Sequence, residues 1–304
     1  MNAPFNSRPQ AGDRAELYAH ADAYLAALAA KDPSRLRLAE HVVFTENNVQ
    51  LRLGDGLWNT VSAVRDSYDL KCADVREGQV CWFGIVEEWG QPAVMALRLK
   101  VEGGLISEVE TVVCRKVDFS PFPSIDTYVS PRPLMLADVP PEQRRERARL
   151  LSIADGYFDT LQLNDGTLFT AFTDDCNRIE NGLQTTNNFD IPGYEIAKMG
   201  CADQFRQGQY VYDDRLRDRR FPLVDEEKGL VLAGGFIDHA GRVIDITWTD
   251  GKTKVRSPFF YPHSYVLLEL FKIVDGKIAA VEAVFVTVPY NMPSPWTGYR
   301  PVDA

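Results

Sequence analysis

Four short stretches of the sequence recur loosely along the chain, in the same order. They lie at residues 21–25, 46–50, 72–74 and 104–110 in the first copy, and at residues 154–158, 180–184, 201–203 and 276–282 in the second. The offset is about 130 residues for the first three pairs and about 170 for the last, so the second copy contains an insertion of about 40 residues. Each stretch alone is a weak signal, but four in one order indicate a tandem duplication with similar folds in both halves.

Both copies begin with a helical pattern and end with a hairpin pattern. Apolar side chains recur at helical spacing over residues 17–28 and again over residues 150–161. Near the end of each copy, long apolar stretches flank the turn residues 102–104 and 275–276, as is typical of β-hairpins. A leading helix with long closing strands predicts an α+β domain, in which helices cover one face of a curved, mainly antiparallel sheet.

A proline-rich stretch separates the two copies. Proline disrupts a helix interior, so we expect that this stretch cannot form a helix and acts as a semi-rigid linker. The pattern therefore predicts four regions: a first domain at 13–118, a linker at 119–143, a second domain at 144–290 and a C-terminal tail at 291–304.

The charge balance argues against nucleic acid as the main partner. The chain has 33 Lys and Arg against 43 Asp and Glu, a net charge of −10, whereas affinity for phosphate backbones comes from cationic side chains. No apolar run approaches the roughly 18 residues that span a bilayer, and the first residues lack the apolar core of a signal peptide. We expect neither nucleic-acid binding nor a membrane location.

The cysteines and histidines show no metal-ligand spacing. None of the five cysteines forms a C-x-x-C pair, and the four histidines are not spaced as H-x-x-x-H. An odd number of unpaired cysteines is typical of reduced thiols and predicts a cytoplasmic protein. No metal site is expected.

Three features of each copy resemble the nuclear transport factor 2-like family, also described as SnoaL-like. They are the opening helix, a strand with a Glu-Asn pair (46–47 and 180–181), and closing strands with a Val-Glu pair (109–110 and 281–282). The resemblance implies two tandem cone-shaped domains, each with helices packed on a strongly curved sheet around a deep apolar pocket. The family includes dehydratases, ketosteroid isomerases, polyketide cyclases and pure binding modules.

Three further stretches, 217–225, 236–239 and 289–293, look like a tandem-domain branch of this fold. Some members of the fold are cofactor-free lyases of lignin-derived aromatic dimers, notably diarylpropane formaldehyde lyases. The sequence shows no glycine-rich phosphate loop, so acid–base chemistry without a cofactor is the natural reaction class. The resemblance implies a small aromatic substrate, and it allows a homo-oligomer because paired cones often associate through sheet faces.

His263 and Tyr261 are the candidates for proton transfer. His263 lies where a loop enters a long strand, and histidine titrates near neutral pH. Tyr261 could donate a hydrogen bond to a leaving oxygen, but the alternative is an ordinary surface-loop histidine. His239 ends a strand beside Asp238, which could fix its tautomer. Adjacent strand residues usually point to opposite faces, so the structural role of His239 is favoured.

Arg178 and Glu180 are the candidates for orienting polar groups of the substrate. They are two residues apart on a predicted strand, so they share one face, opposite Asn181. The alternatives are a solvated outer face or an ion pair that braces the halves. Because the first copy has Phe44 in place of the arginine, the two pockets are expected to differ, and the second copy is favoured for chemistry.

The remaining residues are assigned either to substrate contacts or to structural roles. Tyr157 lies on the apolar stripe of the second opening helix, where most aromatic residues belong to the core. Glu110 and Glu282 are either pocket bases or ionic links between the sheets, and the link is favoured. The charged run 213–220 is interpreted as a solvated surface. The expected substrate contacts are Tyr157, Asn181, His239, Trp248, Phe259 and Phe260.

The sequence leaves three functions open. The first is a cofactor-independent lyase that converts a phenolic diarylpropane-diol, through a quinone methide, into a stilbene and formaldehyde. The second is a dehydratase or isomerase of a polyketide-, terpenoid- or steroid-like substrate. The third is a protein that binds a small molecule without catalysis. The mass of the product separates the first two, and the absence of turnover marks the third.

Overall fold

The computed structural model describes residues 13–116, 118, 125, 128–191 and 193–297 of the chain. Its α-helices over these ranges are α1 (Arg14–Ala29), α2 (Leu57–Thr60), α3 (Pro133–Leu136), α4 (Arg147–Leu163) and α5 (Cys201–Arg206). The two long helices, α1 and α4, open the two copies where the apolar spacing predicts them. The side chain of Asp13 caps α1 by accepting a hydrogen bond from the backbone N–H of Glu16. Asn164 ends α4 in the left-handed conformation, with φ of 43°.

Six strands of the first copy form one sheet. They are β1 (Leu38–Glu46), β2 (Val49–Leu51), β3 (Val61–Asp74), β4 (Gln79–Glu88), β5 (Gln91–Glu102) and β6 (Leu105–Arg115). Their order in the sheet is β2-β1-β6-β5-β4-β3. The β1–β6 pair is parallel and the other pairs are antiparallel.

The second copy repeats this topology and adds a two-stranded ribbon. Its strands are β7 (Phe172–Glu180), β8 (Leu183–Gln184), β9 (Arg215–Asp225), β10 (Leu230–His239), β11 (Asp245–Thr247), β12 (Lys254–Arg256), β13 (His263–Val274) and β14 (Lys277–Val288). The sheet order β8-β7-β14-β13-β10-β9 matches that of the first sheet, and β11 pairs with β12 separately. The ribbon lies between β10 and β13 and accounts for about half of the increase in offset, because the offset is already 151 residues at the ends of β3 and β9 and reaches 172 at the ends of β5 and β13. The α+β class with two tandem units is therefore confirmed.

The repeated Glu-Asn pair forms a turn after the first strand of each copy. Asn47 and Asn181 have φ of 48° and 49°, a left-handed conformation that asparagine tolerates better than most residues. The backbone N–H of each asparagine donates to a carbonyl of the closing strand at 2.9 Å. Their side-chain oxygens accept the backbone N–H of Val113 and Phe285, respectively. The motif thus fastens the turn to the sheet in both halves.

The two sheets pack against each other through one face each. Strand β6 lies against β14, and β3 lies against β9. The side chains at this interface alternate with those that face the helices, because successive strand residues point to opposite sides. The buried interface includes Leu70, Phe83 and Val112 from the first half and Leu232, Leu268 and Val284 from the second. The other face of each sheet, the helix-covered face, forms a separate core with α1 or α4.

Equivalent residues of the two halves exchange equivalent contacts. Arg14, the first residue of α1, forms an ion pair with Asp225 at the end of β9. Arg147, the first residue of α4, approaches Asp74 at the end of β3 at 2.7 Å. Such reciprocity is the mark of a two-fold interface in a homodimer. The halves therefore pack as a two-fold pair within one chain. Asp74 corresponds to Asp225, so the sequence match of residues 72–74 with 201–203 was wrong, because residues 201–203 lie at the start of α5 and not at the end of a strand.

A buried carboxylate joins the halves at the centre of the interface. Glu110 of β6 accepts hydrogen bonds from Arg98 of its own sheet, at 2.8 Å, and from Arg220 of the second sheet. Burial disfavours the charged form of Glu110, but the two guanidinium groups outweigh it and hold the pKa of this carboxyl below its usual range. Glu282, its counterpart, accepts a hydrogen bond from Tyr68 of the first half at 2.6 Å. Glu110 is thus the expected ionic link between the sheets, whereas Glu282 joins the halves through a hydrogen bond from a phenol.

The segment between the halves packs onto them instead of acting as a spacer. Met135 and Val139 are buried, and the carbonyl of Ala137 accepts a hydrogen bond from Lys272 at 2.6 Å. The expectation that no helix forms there was wrong for α3. Proline at the first position of a helix needs no N–H partner and already has a helical φ, so Pro133 can begin this single turn. Residues 119–124, 126 and 127 lie outside the described residues.

The C-terminal tail contacts both halves. Asn48 of the first half donates to the carbonyl of Pro293 at 2.8 Å, and Arg217 of the second half donates to that of Met292 at 2.7 Å. The Trp296 ring lies against the guanidinium of Arg98. The tail therefore fastens the halves together over its described part, while residues 298–304 lie outside the described residues.

Among the described helices, none is both long and apolar enough to cross a membrane.

We predict that Glu110→Gln strongly destabilises the fold. The substitution leaves Arg220 without this counter-charge and Arg98 with Glu108 alone, so the free energy of unfolding should fall by about 3 kcal/mol. Urea unfolding at pH 7 measures this change. Because the pKa of Glu110 is lowered, its contribution is present above about pH 4.5 and is lost as the pH falls through that lowered pKa. The difference between variant and wild type should therefore shrink in acid. Glu102→Gln, at an exposed ion pair, is the control and should cost less than about 0.5 kcal/mol.

Candidate functional site

A cavity of about 360 Å³ lies on the helix-covered face of the second sheet. Its strand-borne lining residues are two apart along each strand, as the alternation of side chains requires. Helix α4, residue 194 and the segments before β9 and β13 form the rest of the wall. The lining residues are Tyr157, Leu161, Arg178, Glu180, Tyr194, Tyr210, Tyr212, Asp213, Ile237, His239, Pro258, Phe259, Tyr265, Leu267, Glu269, Ala283 and Phe285.

The matching region of the first half is filled by protein side chains. Phe44 stands where the second half has Arg178, and Trp58 of α2 packs edge-on against Tyr24 with ring centroids 5.4 Å apart. Glu46, the counterpart of Glu180, accepts the backbone N–H of Leu57 at 2.7 Å. The equivalent carboxylate is thus engaged in holding α2. This difference agrees with the expectation that the two pockets are unequal.

A buried histidine–aspartate pair lies in the cavity wall. His239 Nε2 is 2.8 Å from Asp213 Oδ1, and the side chains are 1% and 6% exposed. Burial raises the pKa of Asp213, and the hydrogen bond from His239 opposes part of that rise. No hydrogen-bond partner for His239 Nδ1 is found among the described residues. Because an ionised carboxylate only accepts hydrogen bonds, a neutral His239 carries its proton on Nε2 and a lone pair on Nδ1.

His263 lies behind this pair. It faces His239 across the β10–β13 ladder, and the two imidazole rings stack with centroids 4.5 Å apart. Its Nδ1 donates to the backbone carbonyl of Tyr261 at 3.0 Å. Burial lowers the pKa of His263, an effect that the bond to Tyr261 opposes and the nearby His239 reinforces. His263 is therefore a buried packing partner of the lining histidine and does not itself line the cavity.

Arg178 organises the other end of the cavity through hydrogen bonds to protein groups. Its guanidinium is buried and donates to the phenol oxygens of Tyr157 and Tyr210 at 3.2 and 2.9 Å. It also donates to Gln204 Oε1 at 2.5 Å, and its Nε lies 3.4 Å from Glu180. The two residues share one strand face as predicted. The guanidinium is largely occupied by these partners, so it positions its neighbours more than it could hold a substrate anion.

Glu269 brings a second carboxyl group to this end. It projects from β13 between Leu267 and Phe271 and is 4% exposed. Burial and the charge of Glu180 raise its pKa to about 8, against the opposing effects of Arg178 and of a hydrogen bond from Tyr157. At neutral pH Glu269 is therefore mostly protonated. A strongly shifted carboxyl in a concave site is typical of a functional position.

Of the other residues singled out from the sequence, Phe259 lines the cavity, whereas Asn181, Trp248, Phe260 and Tyr261 do not. Asn181 is held by its bond to the closing strand, and Trp248 is buried outside the lining, with its indole N–H donating to Gln209 at 3.2 Å. Phe260 and Tyr261 are 57% and 55% exposed. The structure thus groups Arg178, Glu180, Tyr157, His239 and Phe259 around the cavity.

Sequence reasoning missed Asp213 and Glu269. Asp213 begins the charged run 213–220, which was interpreted as a solvated surface. That interpretation was wrong for Asp213 and Arg217, which are buried because the segment enters the second sheet. A usable signal was present in both cases. Tyrosines at 210 and 212 directly precede Asp213, and Glu269 is a lone carboxylate in an apolar strand.

Comparisons with known proteins describe parts of the chain. Residues 143–285, which include the whole cavity lining, match a family described as a domain of unknown function (DUF8021). The chain is similar to a "putative ketosteroid isomerase" from Kribbella flavida, at 18% identity over 40% of this chain and 93% of that one, with a TM-score of 0.27. It is also similar to an NTF2-like protein from Cytophaga hutchinsonii, at 17% identity over 47% of this chain and 99% of that one, with a TM-score of 0.26. No curated protein matches.

We predict that Trp58→Ala opens a hollow in the first half. Removing this buried ring should lower the free energy of unfolding by about 3–5 kcal/mol. An apolar hollow of that shape can bind a small aromatic molecule, so indole should raise the melting temperature of the variant by more than it raises that of the wild type, which has only the cavity of the second half. Differential scanning fluorimetry measures both effects. Trp89→Ala, at a ring that is 76% exposed, is the matched control and should show neither.

Proposed function

We propose that this protein is an acid–base enzyme that catalyses elimination or isomerisation of a small aromatic substrate in the cavity of its second half. The observation that carries the proposal is the buried His239–Asp213 pair in an aromatic-lined cavity. Asp213 fixes the imidazole by accepting from Nε2, and Nδ1 retains its lone pair. This is the arrangement of a general base backed by a carboxylate.

The pair supplies both proton transfers of a dehydration or an isomerisation. Nδ1 of His239 takes a proton from carbon next to an electron-withdrawing group, and Asp213 stabilises the imidazolium that forms. The imidazolium then returns the proton, either to a leaving hydroxyl, which departs as water, or to another carbon. Low polarity around the pair strengthens its electrostatic interaction, because buried charges are screened less than charges in water.

The aromatic walls suit a flat, largely apolar substrate. Five tyrosines and two phenylalanines line the cavity, and aromatic rings attract one another in edge-on and offset geometries. The resemblance to lignin-dimer lyases adds a finer version of the proposal. In that version the imidazolium protonates the benzylic hydroxyl, which leaves as water, and the neutral imidazole then deprotonates the γ-hydroxyl. The carbon–carbon bond breaks, and a stilbene and formaldehyde form. His239, rather than His263 with Tyr261, takes the proton-transfer role here.

The proposal predicts that His239→Gln lowers kcat by at least about 100-fold, because the general base is lost. Asp213→Asn should lower kcat similarly by destabilising the imidazolium. Turnover is measured by absorbance and product mass on a panel of aromatic β-hydroxyketones and phenolic diarylpropane-diols. Loss of water marks dehydration, an unchanged mass marks isomerisation, and formaldehyde marks the lyase.

Two control variants test whether the loss of turnover is specific to His239 and Asp213. His41→Gln changes an exposed histidine of the first half and should leave kcat within twofold. Tyr261→Phe should also leave kcat within twofold, because this tyrosine is exposed outside the lining. If wild-type protein converts no member of the panel while still binding the compounds, the non-catalytic binding function replaces the proposal.

A further inference from the structure

The cavity contains more acidic groups than basic ones. Glu180, Asp213 and Glu269 are among its lining residues, together with one arginine and one histidine. Asp213 is paired with the histidine at 2.8 Å. This leaves Glu180 and Glu269 to share one guanidinium, that of Arg178.

That guanidinium does not neutralise both glutamates. Its closest partners are the uncharged oxygens of Gln204 and Tyr210, at 2.5 and 2.9 Å, whereas its Nε is 3.4 Å from Glu180. Glu269 in turn stays protonated near neutrality, because burial and the charge of Glu180 disfavour its ionised form. The proton on Glu269 thus lowers the negative charge in the cavity. A positively charged group of a ligand could take its place and pair with both carboxylates.

Aromatic residues line the cavity together with these carboxyls. Tyr157, Tyr194, Tyr210 and Tyr265 line the cavity with Glu180 and Glu269. Aromatic rings attract cations to their faces, and most strongly in sites from which water is excluded. Acidic groups and several aromatic rings in one enclosed volume are suited to an ammonium group attached to an apolar body.

We propose that the cavity binds a ligand with a positively charged nitrogen, for which Glu180 and Glu269 are the counterions. The inference concerns the same cavity as the proposed function and rests on that cavity being its ligand site. It narrows the substrate class to an aromatic amine or ammonium compound, in preference to a neutral diarylpropane. It also assigns Arg178 the role of a positioning residue, since its hydrogen bonds hold Tyr157 and Tyr210 in the wall.

A set of probes that share one phenyl ring and differ in charge tests the preference. These probes are 2-phenylethylamine, 2-phenylethanol and phenylacetate, titrated into the full-length protein by calorimetry at pH 7. We expect the amine to bind at least about tenfold more tightly than the alcohol, and phenylacetate to bind most weakly. Equal or tighter binding of the alcohol overturns the inference and leaves the acid–base function standing. Binding of none of the probes overturns it as well, and turnover by the wild type then decides the proposed function separately.

Proton release provides a second readout. Glu269 is protonated before a cation binds and ionised afterwards, so binding at pH 7 should release close to one proton. Calorimetry in two buffers of different ionisation enthalpy measures the number released. Affinity for benzyltrimethylammonium, whose charge does not depend on pH, should rise about tenfold between pH 7 and 9 as Glu269 titrates around its pKa of about 8. A flat profile with no proton release overturns the assignment of Glu269.

Other charged and titratable groups surround Glu269 and must be separated from it. They line the same cavity from α4, β7, β10, β13, residue 194 and the segment before β9, and they are Tyr157, Arg178, Glu180, Tyr194, Tyr210, Tyr212, Asp213, His239 and Tyr265. Burial raises the pKa of Tyr210 to about 12, so this phenol does not titrate in the range tested. The variant Glu269→Gln keeps the shape of the side chain and removes its titration. It should abolish both the proton release and the rise in affinity with pH.

Matched variants complete the test. Glu180→Gln should weaken binding of the amine about tenfold and change binding of 2-phenylethanol by less than twofold. Glu195→Gln removes the same charge from an exposed site of the same half and should change neither. Unchanged amine binding in both Glu180→Gln and Glu269→Gln overturns the inference. The proton-release measurement on wild-type protein keeps it falsifiable if a variant fails to fold.

Discussion

The packing of the two sheets against each other determines where a ligand can bind. Each sheet has two faces, and one face of each sheet is buried by the other half. The reciprocal ion pairs Arg14–Asp225 and Arg147–Asp74 join the two halves. Only the helix-covered faces are left to form cavities. The other two sheet faces bury each other within the chain.

The two helix-covered faces carry the same topology but different contents. In the first half, α2 and Trp58 fill the region, and Glu46 holds the start of that helix. In the second half, the equivalent strand carries Arg178, and the segment before β9 brings Asp213 and several tyrosines to the wall. The halves differ in side chains at equivalent positions, in α2 of the first half, and in α5 and the β11–β12 ribbon of the second, while the strand order is retained. The same strand arrangement thus encloses a cavity in the second half and a packed core in the first.

Much of this arrangement could be predicted from residue spacing, and some of it could not. Helical spacing located α1 and α4, and period-two alternation placed Arg178 and Glu180 on one face, because both patterns are local. The pairing of Asp213 with His239 depends on how a loop folds back onto β10, which no local pattern specifies. The sequence favours His263 over His239, because the carboxylate next to His239 along the chain, Asp238, points to the opposite face of the strand. That carboxylate instead accepts from Arg215 and Arg217 on the other side of the strand.

The two-fold relation between the halves has a consequence for how their sequences can diverge. In a homodimer encoded by one gene, every substitution appears twice, so a change that closes one cavity closes both. Fusion into one polypeptide lifts that restriction, and it also keeps the subunits together at any dilution, because their association is intramolecular. One unit is then free to become a solid support while the other retains its hollow. The first half, in which Trp58 is buried in the region that matches the cavity, shows this divergence.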